Sequence, residues 1–221
     1  MCSAYDRPPE DLTARARIRD AALAEFAERG FKGATLKAVA DAAGVSVGLV
    51  QHHFGSKEGL REACDAHVRA AMMGAAGQVQ DGVEVTPDVI QGMYEANELS
   101  VRYLARALAE GWGVAAVLFD EGADAAERFL MENWPDDFPP HESKVRERAA
   151  VMAAMHLSTI VLHAHLSRRM GVDALSRTNL PRLGIAMADV YAHLGQWITS
   201  GPGDQVRQAV TDHHMKEHPR D

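Results

Sequence analysis

One short predicted helix near the start of the chain carries side chains suited to the edge of a nucleic-acid duplex. Residues 35–43 and 46–53 have the lengths of two short helices, and Gly44 between them permits the left-handed backbone of a tight turn. The outer face of the second helix would point toward a major groove. It carries Val47, Gly48, Gln51 and His52. This pattern predicts a helix-turn-helix.

Hydroxyl residues stand where four helices are predicted to begin, because their side chains can accept hydrogen bonds from the first free backbone N–H groups. The first helix would end near Arg29, where Gly30 supplies a stop signal, and the fourth would continue to about Gly77. The predicted caps are Thr13, Thr35, Ser46 and Ser56.

Long helical segments separated by glycine and proline are predicted for the rest of the chain. Residues 135–140 read as a loop, and residues 204–221 as a polar, frayed tail with weak helical tendency. No strand pattern is found in the sequence, so the predicted fold class is all-α. The predicted long helices cover about 87–110, 114–134, 141–170 and 180–200.

The charge is distributed unevenly along the chain. The net charge is −8. Residues 1–70 hold ten basic and ten acidic side chains, whereas the remainder holds 13 basic and 21 acidic ones. Acidic residues in the second part would repel DNA and orient the neutral first part toward it.

Several classes of protein are disfavoured by motifs that are missing from the sequence. The two cysteines cannot form a disulfide framework or a four-ligand zinc site. There is no His-Glu-x-x-His motif, no Gly-rich phosphate loop and no nucleophile elbow. The apolar run 151–166 is shorter than a membrane span, and residues 1–30 lack a signal-peptide core. We therefore expect a cytoplasmic protein with no membrane association, which is not an enzyme and has no cofactor or metal.

The first part of the chain resembles the DNA-binding signature of TetR-type (tetracycline-repressor-like) transcriptional regulators. The resemblance extends over about residues 13–62, and beyond residue 80 it is only architectural. It is specific because many spaced positions agree together. These are FKGAT at 31–35, VA at 39–40, AGVS at 43–46, Gly48, HF at 53–54, SKE at 56–58 and Leu60.

The resemblance implies a fold and a function. It implies an N-terminal three-helix helix-turn-helix DNA-binding domain at 11–58 and a C-terminal helical ligand-binding and dimerisation domain at 59–221. The expected function is a ligand-responsive regulator, usually a repressor, that binds a palindromic double-stranded operator as a homodimer through the helix at 46–53. A small, mostly apolar molecule would act as the effector.

The resemblance also implies roles for individual residues in DNA binding. Val47, Gly48, Gln51 and His52 resemble the base-facing set, with Val47 placed to touch a thymine methyl group. The family commonly has tyrosine where this chain has Gln51, which can pair with the N6/N7 edge of adenine, so the preferred operator should differ. The expected phosphate-positioning residues are Thr35, Ser46, His53 and Lys57, with Arg15 and Arg17 as further contacts.

The last predicted helices carry two apolar faces, which indicates packing against both the core and a second copy. One face of the final long helix holds Leu183, Met187, Val190, Leu194 and Trp197, and the region 151–166 is apolar nearly all round. Two such helices from each subunit would form a four-helix bundle; a monomer with a thick core is the alternative. The predicted dimer interface is Leu162, Gly184, Met187, Ala188, Tyr191 and Gly195.

Methionine, aromatic and histidine side chains of the middle helices are candidates for lining an adaptable effector pocket. His156 and His163 are seven residues apart, so both could face one cavity on a continuous helix. Plain core packing is the alternative for each residue. The candidate ligand-binding residues are Met93, Tyr94, Trp112, Phe119, Met152, Met155, His156 and His163.

Two other functions stay open at the level of the sequence. One is a helical metal-dependent enzyme that uses the histidine and carboxylate groups, and the other is a regulator that responds to a protein partner.

Overall fold

The helices predicted at the start of the chain are present and are followed by longer ones. The computed structural model describes residues 13–80, 87–140 and 142–217, with side chains described for 13–74, 98–140 and 142–216. All regular structure in these residues is helical, which confirms the all-α prediction. The helices are α1 Ala14–Gly33, α2 Leu36–Ala43, α3 Val47–Phe54, α4 Lys57–Gln80, α5 Pro87–Glu110, α6 Gly113–Asn133, α7 Ser143–Val161, α8 His163–Met170, α9 Leu180–Ile198 and α10 Gly201–Glu217.

The chain divides into two compact units. The first is Met1–Arg177, which contains α1 to α8, and the second is Thr178–Asp221, which contains α9 and α10. No single helix among the described residues is long and apolar enough to cross a membrane. The pair α7 and α8 passes the same length-and-composition test only when taken together, across a bend of 61°.

Helix α1 shares a core with the helices on both sides of it. Phe26 is 1% exposed, and its ring centroid lies 6.4 Å from that of Tyr103 in α5 and 6.5 Å from that of Trp112. Burying a side chain of this size contributes roughly 1.5–3 kcal/mol. The helix-turn-helix is therefore packed on the α4–α5 region through a common apolar cluster. Its fully buried members include Ile18, Leu23, Val39, Val50, Leu60 and Val68.

Gly30 bends α1 where the sequence predicts its end. Its backbone has φ 69° and ψ 171°, and helical residues continue to Gly33 beyond this kink. Gly30 therefore interrupts the helical backbone as predicted, but α1 continues beyond it to Gly33. Arg106 of α5 donates hydrogen bonds to the carbonyl oxygens of Ala27 (3.1 Å) and Glu28 (2.7 Å), in the turn of α1 that precedes the kink.

The predicted helix at 141–170 is wrong, because the chain breaks at Leu162 into α7 and α8. The hydroxyls of Ser158 and Thr159 each donate to a carbonyl oxygen three residues back, at 2.7 Å. Such bonds compete with the backbone ladder and bend helices. An apolar run that looks uninterrupted in the sequence therefore forms two helices with a 61° bend between them.

The C-terminal tail also departs from expectation, because residues predicted to fray form α10. Side-chain pairs one helical turn apart support it: Arg207 with Asp204 at 2.5 Å, and Gln208 with Asp212 at 2.8 Å. Helix α6 runs without a break through Gly122, in agreement with the single helix predicted there.

Candidate nucleic-acid interface

The turn between α2 and α3 has the geometry that the sequence predicts. Gly44 has φ 65° and ψ 40°, and its N–H donates to the carbonyl oxygen of Ala40 at the end of α2. Ala40 and Ala43 are buried where the two helices meet, and Val50 holds α3 to the core with 1% exposure. These contacts fix the orientation of an eight-residue α3.

The face of α3 opposite Val50 is open to solvent. Val47, Gly48, Gln51 and His52 are all exposed. The predicted exposure is therefore observed, and contact of these residues with DNA stays a prediction. This face offers the donors and acceptors of a glutamine amide and an imidazole, a valine methyl surface and a position without a side chain.

Capping hydroxyls mark the N-termini on this side of the domain. The side chain of Thr35 accepts from the N–H of Ala38 at 3.1 Å, and that of Ser46 accepts from the N–H of Leu49 at 3.2 Å. Each hydroxyl uses a lone pair for the cap and keeps its proton as a donor. Two exposed helix starts therefore combine a hydroxyl donor with free N–H groups, the arrangement that binds phosphate.

The start of α4 is capped in the same way. Ser56 accepts from the N–H of Gly59 at 3.1 Å. Hydrogen bonds from the backbone N–H of Glu58 and from Ser56 hold the pKa of the Glu58 carboxyl below its usual value. A carboxylate at this position interacts favourably with the positive end of the α4 helix dipole.

Cationic side chains flank α3 and are held by aromatic rings. The guanidinium carbon of Arg15 lies 5.5 Å from the centroid of the Phe54 ring. On the other side, Lys57 Nζ lies 4.6 Å from the centroid of Phe31, and the guanidinium carbon of Arg61 lies 4.5 Å from it. Such cation–π contacts orient a charge without neutralising it.

Arg61 lies beside Lys57 on the same ring but was not named as a candidate from the sequence, and its Nε also lies 4.0 Å from Asp65 Oδ2. It follows Lys57 by one helical turn, so the i, i+4 spacing was an available signal. Of the residues predicted to contact phosphate, His53 is less exposed than its neighbour His52. The centroid of its ring lies 5.4 Å from that of His52 and 6.2 Å from that of Phe54. Its imidazole therefore borders the exposed face without lying fully on it.

The candidate ligand residues stay a prediction, and the structure places Trp112 in surroundings other than those of a pocket. Trp112 is 8% exposed, stacks edge-on against Tyr103 at 5.1 Å and donates from Nε1 to Glu110 at 3.0 Å. It is therefore part of the core that supports α1. The side chains of Met93 and Tyr94 lie outside the described residues.

The remaining candidates lie on α6, α7 and α8. Phe119 and Met152 are half-buried, whereas Met155 and His156 are exposed. The break at Leu162 separates His156 from His163, so the spacing that grouped these two histidines does not apply. His163 is half-buried and lines a cavity of about 580 Å³ between α1, α5 and the α7–α8 junction.

The residues predicted for the dimer interface stay a prediction. Leu162, at the junction of α7 and α8, is 51% exposed. On α9, Gly184, Met187 and Tyr191 are half-buried, and Ala188 and Gly195 are exposed. The same helix exposes large apolar side chains at Ile185, Val190, Leu194 and Trp197.

Within the described residues, no three His, Cys, Asp or Glu side chains come together as a metal site.

Comparisons with known proteins agree with the geometry of α1–α3. The family model described as "Bacterial regulatory proteins, tetR family" matches residues 18–64. These residues comprise most of α1, all of α2 and α3, and the first turns of α4, which together form a bacterial helix-turn-helix domain. Over these residues the chain is similar to the DNA-binding part of the TetR family of bacterial regulatory proteins.

Curated relatives carry matching descriptions over part of their length. The HTH-type transcriptional regulatory protein RaaS of Mycobacterium tuberculosis is 42% identical over 123 residues, 55% of this chain and 58% of that protein. The HTH-type transcriptional regulator BetI of Burkholderia ambifaria is 44% identical over 64 residues, 29% of this chain and 33% of that protein. The matches thus span less than two thirds of these relatives.

A solved structure adds a weaker likeness. It is the crystal structure of the TetR family repressor AlkX from Dietzia sp., which is 22% identical, covers 68% of this chain and 84% of that one, and superimposes with a TM-score of 0.33. Both curated relatives are described as transcriptional regulators.

Proposed function

We propose that this protein is a cytoplasmic, ligand-responsive transcriptional repressor. It binds a palindromic double-stranded operator as a homodimer through α3 and is released by a small, mostly apolar effector. The observation that carries the proposal is the exposed face of α3, which is held rigidly by Val50 and flanked by capped helix N-termini.

Direct reading of bases would fall to the exposed face of α3. The amide of Gln51 suits the N6/N7 edge of adenine, and Val47 suits a thymine methyl group. Gly48 lets the helix approach the groove closely. Thr35, Ser46 and Lys57 would contact phosphates beside the groove, with Arg15 on the opposite flank, and so fix the register of the domain.

The homodimer is needed because two recognition helices must lie one helical turn of DNA apart, roughly 34–36 Å. The apolar side chains that α9 exposes, Val190, Leu194 and Trp197 among them, are what an interface between two copies would bury. A charge at Val190 in place of the apolar side chain should therefore lower the dimer fraction measured by sedimentation.

An effector would act by preferring one arrangement of the DNA-binding helices over another. It can shift operator affinity only by its differential affinity for the two arrangements, typically about 1–3 kcal/mol. The core that α1 shares with α5 is a route for such coupling, because Phe26 packs directly on Tyr103.

The deciding experiment selects binding sites from random duplexes with the purified chain and then measures affinity for the selected operator at several salt concentrations. We expect sequence-specific binding that weakens steeply with salt. Gln51→Ala should cost about 1–3 kcal/mol and relax the preference at one base pair. Lys57→Ala should weaken binding to all sequences and reduce the salt slope by about one.

The matched control is Gln208→Ala, which removes the same side chain from an exposed position on α10. It should leave operator affinity unchanged. Selection that yields no preferred sequence, or equal losses for Gln51→Ala and Gln208→Ala, would contradict the proposed role of α3.

A further inference from the structure

A cavity of about 580 Å³ lies where α1 meets α5 and the α7–α8 junction. Seven of its eleven lining residues are alanine, leucine or valine, and the four polar ones are Glu28, Arg102, Arg106 and His163. A volume of this order, with mostly apolar walls and a few polar groups, is usual for a small-molecule site, for which the range is roughly 300–1,000 Å³.

The two arginines that line this cavity are already engaged. Arg102 Nη2 lies 3.0 Å from a carboxylate oxygen of Glu98 and 2.5 Å from one of Asp173. Arg106 donates to two carbonyl oxygens of α1, and its Nη1 lies 3.6 Å from Glu110. Neither guanidinium is free to serve as the main partner of an anionic ligand.

The polar groups left for a ligand are acceptors. Among the described residues the Glu28 carboxylate has no hydrogen bond or ion pair. His163 Nδ1 lies 2.9 Å from the carbonyl oxygen of Ile160, which can only accept, so Nδ1 carries a proton and Nε2 is the ring nitrogen that can accept from a ligand.

The charges around the cavity point in the same direction. The cavity is surrounded by two guanidinium groups and four carboxylates. Glu28 lines the cavity, and the other three carboxylates, those of Glu98, Glu110 and Asp173, pair with the lining arginines. The site therefore has an excess of negative charge and suits a ligand that is a cation and a hydrogen-bond donor.

We propose that this cavity binds a small organic amine with an apolar body, whose protonated nitrogen donates to the Glu28 carboxylate and to His163 Nε2. One wall of the site is α1 itself, at the two carbonyl groups that Arg106 holds. A bound amine thus contacts the helix on which α2 and α3 are packed, and this consequence rests on the proposed function.

The binding step is tested by calorimetric titration of the full chain with phenethylamine, and with phenylacetate and phenethyl alcohol as probes of the same shape. We expect the amine to bind at least about tenfold more tightly than the acid or the alcohol, as a charge-assisted pair requires. Equal binding of the three probes, or no binding of the amine, would overturn the proposal.

Two substitutions locate the site. Glu28→Gln should weaken amine binding about tenfold, and Ala164→Phe, which fills the cavity from α8, should abolish it. Glu132→Gln removes an exposed carboxylate on α6 that does not line the cavity, and amine affinity should not change. Unchanged binding in Glu28→Gln or in Ala164→Phe, with the fold intact by circular dichroism, places the amine elsewhere and refutes the assignment.

Coupling to DNA is measured separately, by titrating phenethylamine with and without the selected operator. Linkage requires that the operator change amine affinity by the same factor as the amine changes operator affinity. We expect a several-fold change, and equal amine affinity in both titrations would overturn the coupling. Failure of the amine-free protein to bind any operator would instead refute the proposed function and leave the amine titration interpretable.

Discussion

Replacing Gly30 with alanine is expected to destabilise the protein at the point where α1 meets α5. The backbone of Gly30 has φ 69° and ψ 171°, a region open essentially to glycine alone. A Cβ atom built there would lie 2.3 Å from Oε1 of Glu110 and 3.0 Å from its carboxyl carbon. The Glu110 side chain would have to move, and it accepts a hydrogen bond from Trp112 Nε1 at 3.0 Å.

The expected loss is the sum of three effects. Holding an alanine in this conformation costs roughly 1–3 kcal/mol. Losing the Trp112 hydrogen bond costs about 1 kcal/mol. Alanine also reduces the conformational entropy of the unfolded chain, which offsets the loss by about 0.4–1 kcal/mol. The net destabilisation should therefore be about 2 kcal/mol.

Urea unfolding followed by tryptophan fluorescence measures this loss, and Trp112 lies close to the substitution. Gly122→Ala is the matched control, because its Cβ meets no atom within 4 Å inside α6, and it should stabilise by about 0.5–1 kcal/mol. In a Glu110→Ala background the cost of Gly30→Ala should fall by about 1 kcal/mol, because the Trp112 hydrogen bond to Glu110 is already absent there. A Gly30→Ala protein within about 0.5 kcal/mol of the parent would refute the reasoning.

Three further predictions use the same unfolding measurement. Ser46→Ala removes the cap of α3 and should lower the free energy of unfolding by about 1 kcal/mol and weaken operator binding. An unchanged stability together with an unchanged operator affinity would contradict the role of the cap. Arg106→Ala leaves two α1 carbonyl groups without their donor and should cost about 1–2 kcal/mol, whereas a neutral result would mean that water replaces it fully. Burial raises the pKa of Asp65, which accepts from the Tyr103 hydroxyl at 2.5 Å. The folded state therefore binds the extra proton, and the stability this gives is lost as the pH rises from about 3.8 through the raised pKa. Asp65→Asn should flatten that slope, Tyr103→Phe should steepen it, and identical pH profiles would refute the assignment.

The helix-turn-helix could be predicted from sequence to within a residue or two because its boundaries are encoded locally. Thr35 and Ser46 cap the helices that follow them, and Gly44 adopts the left-handed conformation that ends α2. Each signal acts within four residues, so one sequence suffices to read it. The exposure of Gln51 then follows from helical periodicity once Val50 is assigned to the core.

The effector residues could not be predicted in the same way, because burial depends on partners far along the chain. Tryptophan is a residue type that often lines pockets, yet the ring of Trp112 packs on Phe26 of α1. The break at Leu162 was hidden because no glycine or proline marks it in the sequence. Consequently the sequence placed His156 and His163 on one face of a helix that the structure divides.

The contacts between α1 and α5 have a consequence for the predicted domain boundary at residue 58, which stays a prediction. A fragment ending there would lose the Tyr103 and Trp112 rings that cover Phe26, and Arg106 could no longer donate to the kinked end of α1. The core of α1–α3 would then be open on the side that α4 and α5 now close. The DNA-binding helices therefore depend on α5 for their stability, and any ligand that changes the position of α5 necessarily acts on the helix that orients α3.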